Sequence, residues 1–179
     1  MTPSPSPDPV ADPRGYQEHL LSLLGSDDPA VAQETTPAAL RELIAEAGSD
    51  LRTRPEASEW SVLECVAHIV DAELVASGRY RWILSHDEPD LPGYDQDLWV
   101  DRLHQPSEGP DELLALFDAL RRANLALWRR TPVEDRDRFG IHRERGPESF
   151  ALTFQLIAGH DRFHVGQARR TLDRLRSGA

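Results

Sequence analysis

Residues 149–176 read SFALTFQLIAGHDRFHVGQARRTLDRLR, and the spacing predicts one uninterrupted helix. Positions 153, 157, 160, 164, 167 and 171 follow alternating steps of four and three, which keeps side chains on one side of a helix. They are Thr153, Ile157, His160, His164, Gln167 and Thr171. Beside them runs an apolar stripe of Phe150, Phe154, Ala158, Val165, Ala168 and Leu172 that must face a core. The two histidines therefore border that core one turn apart, a spacing at which both rings reach a single ion, at about 2.0–2.1 Å if it is zinc. HDRFH is not the HExxH of a metalloprotease, because Asp161 stands second and no adjacent Glu takes the base position.

Working outward, Ser61 and Glu64 make a capping box ahead of Val62, Leu63, Val66, Ile69, Val70, Leu74 and Trp82, so a long helix is expected over 61–84. Pro110 and Asp111 open another, striped by Leu113, Leu114, Leu116, Phe117, Leu120, Leu125 and Trp128, which runs to Arg130 before Pro132. Thr36 as cap and Pro37 at the first position predict a helix from there to Gly48. Shorter helices are expected over 16–24 and 95–103, the latter as a lid or side connection. Residues 85–94 and 131–148, rich in Pro, Gly and charge, read as loops. The fold class is all-α, a four-helix bundle.

A third ligand should come from a facing helix, and His68 lies in an apolar stretch between Ala67 and Ile69. The plainer reading is that each histidine is a hydrogen-bonded structural residue, but three imidazoles in one interior are hard to satisfy without a shared partner. His19, His86, His104 and His142 fall where solvated side chains are the ordinary outcome. Three neutral nitrogens would leave a metal with an open position, as in catalytic sites. Asp71, one turn after His68, and Asp161 are candidates to handle a proton; a supporting hydrogen bond or simple solvation is the alternative for Asp71. Gln167 is placed to orient His164. Tyr94, Trp99 and Trp82 are candidates to wall a pocket, with plain core packing as the alternative; Cys65 reads as a small buried apolar residue, with approach to the pocket as the alternative; and Arg79 and Arg81 read as solvated, with attraction of an anionic thiol or substrate as the alternative.

The 179 residues fit one domain, residues 14–179, behind a Pro-rich segment, 1–13, expected to be disordered. With 31 acidic against 20 basic residues the formal charge is −11, which argues against nucleic-acid partners. Every basic residue is Arg, so lysine Schiff-base chemistry and Walker-type loops are excluded. A single cysteine excludes an internal disulfide and a thiolate-rich zinc site. The longest apolar stretch without charge, 150–159, is about half of what spans a bilayer, and no secretory-signal pattern opens the chain. A cytoplasmic protein without membrane contact is expected.

The segments EWSVLECVAHIVDAE (59–73) and AGHDRFHVGQ (158–167) resemble the two signatures of the DinB-like superfamily, the YfiT-like metal-dependent hydrolases, and LPGYDQDLW (91–99) resembles its DinB_2 subgroup. The likeness runs from about residue 16 to 176. It implies an up-down-down-up four-helix bundle holding a divalent metal, zinc, nickel or iron, on three histidines, which fall on His68, His160 and His164. Members include bacillithiol and mycothiol S-transferases, so the implied activity is transfer of a low-molecular-weight thiol to an electrophilic substrate. Metal-dependent hydrolysis of a small amide or ester, and non-catalytic metal binding, are the alternatives. A homodimer is implied by resemblance alone.

Overall fold

The computed structural model describes residues 7–104 and 108–178. Its helices are α1 (Pro13–Leu24), α2 (Pro29–Ala47), α3 (Val62–Ser85), α4 (Gln96–Leu103), α5 (Pro110–Arg130) and α6 (Phe150–Ser177). Helix α3 begins where the capping box sets it: Ser61 Oγ accepts from Glu64 N while Glu64 Oε2 accepts from Ser61 N. Ser149 caps α6 through Leu152 N, and Asp95 caps α4 through Leu98 N.

Helix α2 starts earlier than the sequence suggests. Asp28 accepts from Ala30 N and Val31 N, with Pro29 in the first turn, so Pro37 lies inside the helix. A proline there withholds the N–H that the carbonyl four residues earlier expects. The Gln33 carbonyl is served instead by Arg121, whose Nη1 donates at 3.1 Å. Thr36 is no cap, and its hydroxyl donates to Asp161 Oδ2 at 2.8 Å.

Side-chain pairings fix the helix directions. Gln33 donates to the Phe154 carbonyl and Arg176 to Glu46, so α2 and α6 run parallel. His68 meets His160 while Tyr80 packs on Phe150, so α3 runs against α6. Glu73 pairs with Arg121 and Ser77 with Asn124, so α3 and α5 run parallel. In chain order α2, α3, α5 and α6 are therefore up, down, down and up. Helix α1 packs along α6, where a Cβ on Gly159 would come within 2.1 Å of the Leu20 carbonyl oxygen; only glycine admits this approach.

The fold is not purely helical. Three short strands, β1 (Asp90–Leu91), β2 (Phe139–His142) and β3 (Gly146–Ser149), form a sheet from segments expected to be loops. β1 pairs parallel with β2, and β2 antiparallel with β3. The strands are too short for a period-2 signal to stand out from their Gly and Pro residues. Of the segment 1–13, residues 1–6 lie outside the described residues. Asp8 accepts from Val10 N and Ala11 N in a turn, and Asp12 caps α1 at Gly15 N.

One apolar cluster joins Leu40, Leu43, Val66, Ile69, Phe117 and Leu172, and a second joins Tyr80, Ile83, Phe150 and Phe154, with Trp128 stacked on Phe154 at 4.1 Å. Along α3, Glu73 falls between these two clusters. Its carboxylate, which is fully buried, accepts from Arg121 Nη2 at 2.9 Å and Asn124 Nδ2 at 2.8 Å, while Arg121 Nη1 donates to Asp161 Oδ2 at 2.7 Å. Replacing Arg121 leaves two buried carboxylates without their cation, so Arg121→Met is expected to lose about 3–5 kcal/mol in urea denaturation. A loss below ~1 kcal/mol would show that the cluster does not hold the bundle together.

Candidate metal centre

The antiparallel course of α3 against α6 brings His68 opposite His160 and His164. His68 Nε2 lies 2.9 Å from His160 Nε2. Ring centroids are 4.4 Å apart for His68 and His164, and 4.3 Å for His160 and His164. One nitrogen from each of the three falls within 4.8 Å of the others, and all three residues are buried. His164 Nδ1 is bonded to Gln167 Oε1 at 2.8 Å. An amide oxygen only accepts, so the His164 proton sits on Nδ1 and Nε2 presents its lone pair. That Nε2 is buried and has no hydrogen-bond partner among the described residues. A lone pair aimed at two further imidazole nitrogens, with no hydrogen available to it, is what a divalent cation requires, and the donor set fits one.

Burial, reinforced by the neighbouring imidazoles, drives the pKa of His68 and His160 well below the ordinary value. Burial pushes His164 down to about 4, against the opposing bond from Gln167. All three rings are therefore neutral near pH 7, the form that binds metal. Nδ1 of His68 and of His160 is buried without a partner among the described residues. Packing orients these rings instead: Trp60 lies 5.0 Å from His68 and nearly parallel to His164 at 6.0 Å, and Phe163 meets His164 edge-on at 4.7 Å. Trp60 was not singled out from the sequence, although its position immediately before the α3 cap directs it at the start of the histidine-bearing face.

The two candidate carboxylates are not brought to the histidines alike. Asp161 points away from them, to Arg121 and Thr36. Asp71 accepts from His104 Nε2 at 2.8 Å, and His104 Nδ1 is bonded to Glu108 at 2.7 Å. Burial lowers the His104 pKa, but the two carboxylates outweigh it and the net shift is upward. Burial raises Asp71. His104 is thus not a solvated loop residue, and neither is His142, which is buried on β2. Arg79, expected at the surface, is also buried, whereas Trp82 is exposed. Tyr94 and Trp99 do pack together at 4.6 Å, with Tyr94 6.4 Å from His68. Cys65 is fully buried, and desolvation pushes its thiol up to about 12, as befits a core residue.

A cavity of about 600 Å³ opens from His68 and His160, walled by Ala72, Val75, Tyr94 and Ile157. Such a volume suits a small molecule. No described helix is long and apolar enough to cross a membrane.

A helical bundle with an inward-facing, three-histidine centre suited to a divalent cation is the class that fold and site define. The sequence profile of the DinB superfamily matches residues 32–168, and the chain belongs to that superfamily. A Bacillus cereus relative named "Putative metal-dependent hydrolase" is 26% identical over 116 residues, 65% of this chain and 66% of the relative. An Oceanobacillus iheyensis relative of the same name is 24% identical over 114 residues, 63% and 65% of the two chains. The chain thus spans slightly less than two thirds of these relatives. YfiT from Bacillus subtilis, described as a probable metal-dependent hydrolase with an unusual four-helix bundle topology, superposes with a TM-score of 0.74 at 19% identity, over 98% of this chain and 94% of that one.

Untagged protein is expected to bind about one equivalent of divalent metal, and His68→Ala and His164→Ala each to lose it, by elemental analysis of the purified proteins. Gln167→Leu removes the bond that fixes the His164 tautomer and is expected to weaken metal affinity about 10–100-fold. Unchanged metal content in both histidine variants would place the ligands elsewhere.

Proposed function

We propose that the protein is a metal-dependent transferase that joins a low-molecular-weight thiol, of the bacillithiol or mycothiol type, to an electrophilic small molecule. His68, His160 and His164 would hold the cation, with zinc, nickel or iron as candidates. When bound, it would supply Lewis acidity and favour the thiolate form of a thiol at neutral pH.

The observation that carries this reading is the state of the carboxylates. Asp161 is committed to Arg121 and Thr36, and Asp71 to His104. Among the described residues, no carboxylate joins the histidine cluster as a free general base. Hydrolysis of an amide or ester calls for a group that hands a proton to the departing nitrogen or oxygen. Attack by an ionised thiol on an electrophile that releases a stable anion does not, the thiol proton having passed to solvent. The histidines lie buried at one end of the cavity, and the apolar stretch of Ala72, Val75 and Ile157 gives the electrophile a surface to lie on.

The names of the Bacillus and Oceanobacillus relatives favour hydrolysis as the second reading. In that case the hydrogen-bonded Asp71–His104 pair, one turn from His68, is the group placed to take and return a proton.

Purified protein loaded with zinc, nickel or iron is expected to speed conjugation of a bimane electrophile to bacillithiol or mycothiol by at least tenfold over metal-stripped protein, with the S-conjugate read by chromatography. Turnover of esters or amides without any thiol would replace this reading with hydrolysis. Unaccelerated conjugation with every metal and thiol would remove it.

A further inference from the structure

Eleven residues after His68 stands Arg79. At 100° per residue the two lie within about 20° of one another on α3, and at 1.5 Å per residue they are about 16 Å apart along its axis. Ala72 and Val75 lie between them on the same cavity wall. Helix α6 runs the other way and lines the cavity with His160, Ile157 and Thr153. The cavity is therefore a slot with the histidines at one end, an apolar middle and Arg79 at the other end.

Arg79 is 8% exposed, and among the described residues no carboxylate lies within ion-pair distance of it. Its Nη2 donates to the Pro92 carbonyl at 2.6 Å, and its Nε is buried with no partner. Opposite it, His142 Nδ1 accepts from the Glu144 backbone N–H at 3.2 Å, which places the ring proton on Nε2. That Nε2 is 3.4 Å from Arg79 Nη2. Both atoms are donors in this state, since guanidinium has no lone pair to offer. Among the described residues no acceptor bridges these two facing donors, and the buried Arg79 Nε–H beside them is unmatched. Glu148, the buried carboxylate of this end, is already taken by Arg145 at 2.5 and 3.1 Å and by Gln17 at 2.6 Å. Burying a guanidinium without an anion is costly, and a carboxylate is the group that accepts from both donors at once.

We propose that Arg79 and His142 form a carboxylate-binding subsite, so that the ligand of this cavity is an elongated molecule with an apolar middle and a terminal carboxylate, its reactive end lying at His68 and His160. The proposal deepens the functional reading above and rests on it only for which end reacts. The carboxylate end is tested by binding alone, so either can fail without the other.

The test is calorimetric titration of cobalt-loaded protein with octanoate and with octanamide, its neutral counterpart, while the visible cobalt spectrum is recorded. The acid is expected to bind at least tenfold more tightly than the amide and to leave the spectrum unchanged. In Arg79→Gln that preference should fall to less than twofold, and Arg79→Lys should keep part of it, with melting curves to confirm folding. Equal affinity for acid and amide in the unaltered protein, or binding of neither, would overturn the proposal. So would a preference that persists in Arg79→Gln, or a shifted cobalt spectrum, which would put the carboxylate on the metal. If Arg79→Gln fails to fold, the acid-to-amide ratio and the cobalt spectrum of the unaltered protein decide the matter.

Discussion

On the guanidinium of Arg121 all four bundle helices converge. It belongs to α5, donates to the Gln33 carbonyl on α2, and binds Glu73 on α3 and Asp161 on α6. Residues so completely buried cannot trade these partners for water. A slide of any helix along its neighbour would leave a charge unpaired in a medium of low dielectric, which costs more than an apolar contact can return. The cluster therefore sets register rather than contributing bulk cohesion, which the two apolar clusters supply. Asp161 adjoins His160 and Glu73 follows His68 by five residues, so the same register that satisfies the ions aligns the imidazoles.

Much of this was legible in the chain because the signals were local. The capping box at Ser61, Pro110 at a helix start and the long apolar stripe after Ser149 placed α3, α5 and α6 to within a residue or so of where they lie. The three histidines were legible for a related reason, since an imidazole inside an apolar face is conspicuous. Thr36 and Pro37 misled because a cap and a mid-helix proline look alike in sequence. What distinguishes them is a hydrogen bond from Arg121, a residue 84 positions after Pro37. The sheet segments read as loops and His104 and His142 as solvated because burial of a connecting segment depends on what folds over it, and Arg79 on α3 is covered by those same segments, at Pro92 and His142. No spacing rule records that, and it is at Arg79 and His142 that the cavity acquires its donor groups.

A chain with a formal charge of −11 thus carries inside it a slot whose far end presents the donors of Arg79 and His142 beside a Glu148 already paired with Arg145. Surface and interior charge are independent here. The acidic exterior bears on solubility and on general repulsion of polyanions, while the buried Arg79 acts over a few ångströms on whatever enters. Net charge argues against nucleic acid as a partner and says nothing against a small anion.

Gly159 has a reach beyond the close packing it permits. By letting the α1 backbone rest on α6, it admits Tyr16, Gln17 and Leu20 to the cavity lining, so the leading helix is a wall of the slot and no part of the bundle proper. Pocket and scaffold are then separable in evolution: drift in residues 13–24 can remodel which molecules enter while the histidine-bearing framework stays untouched.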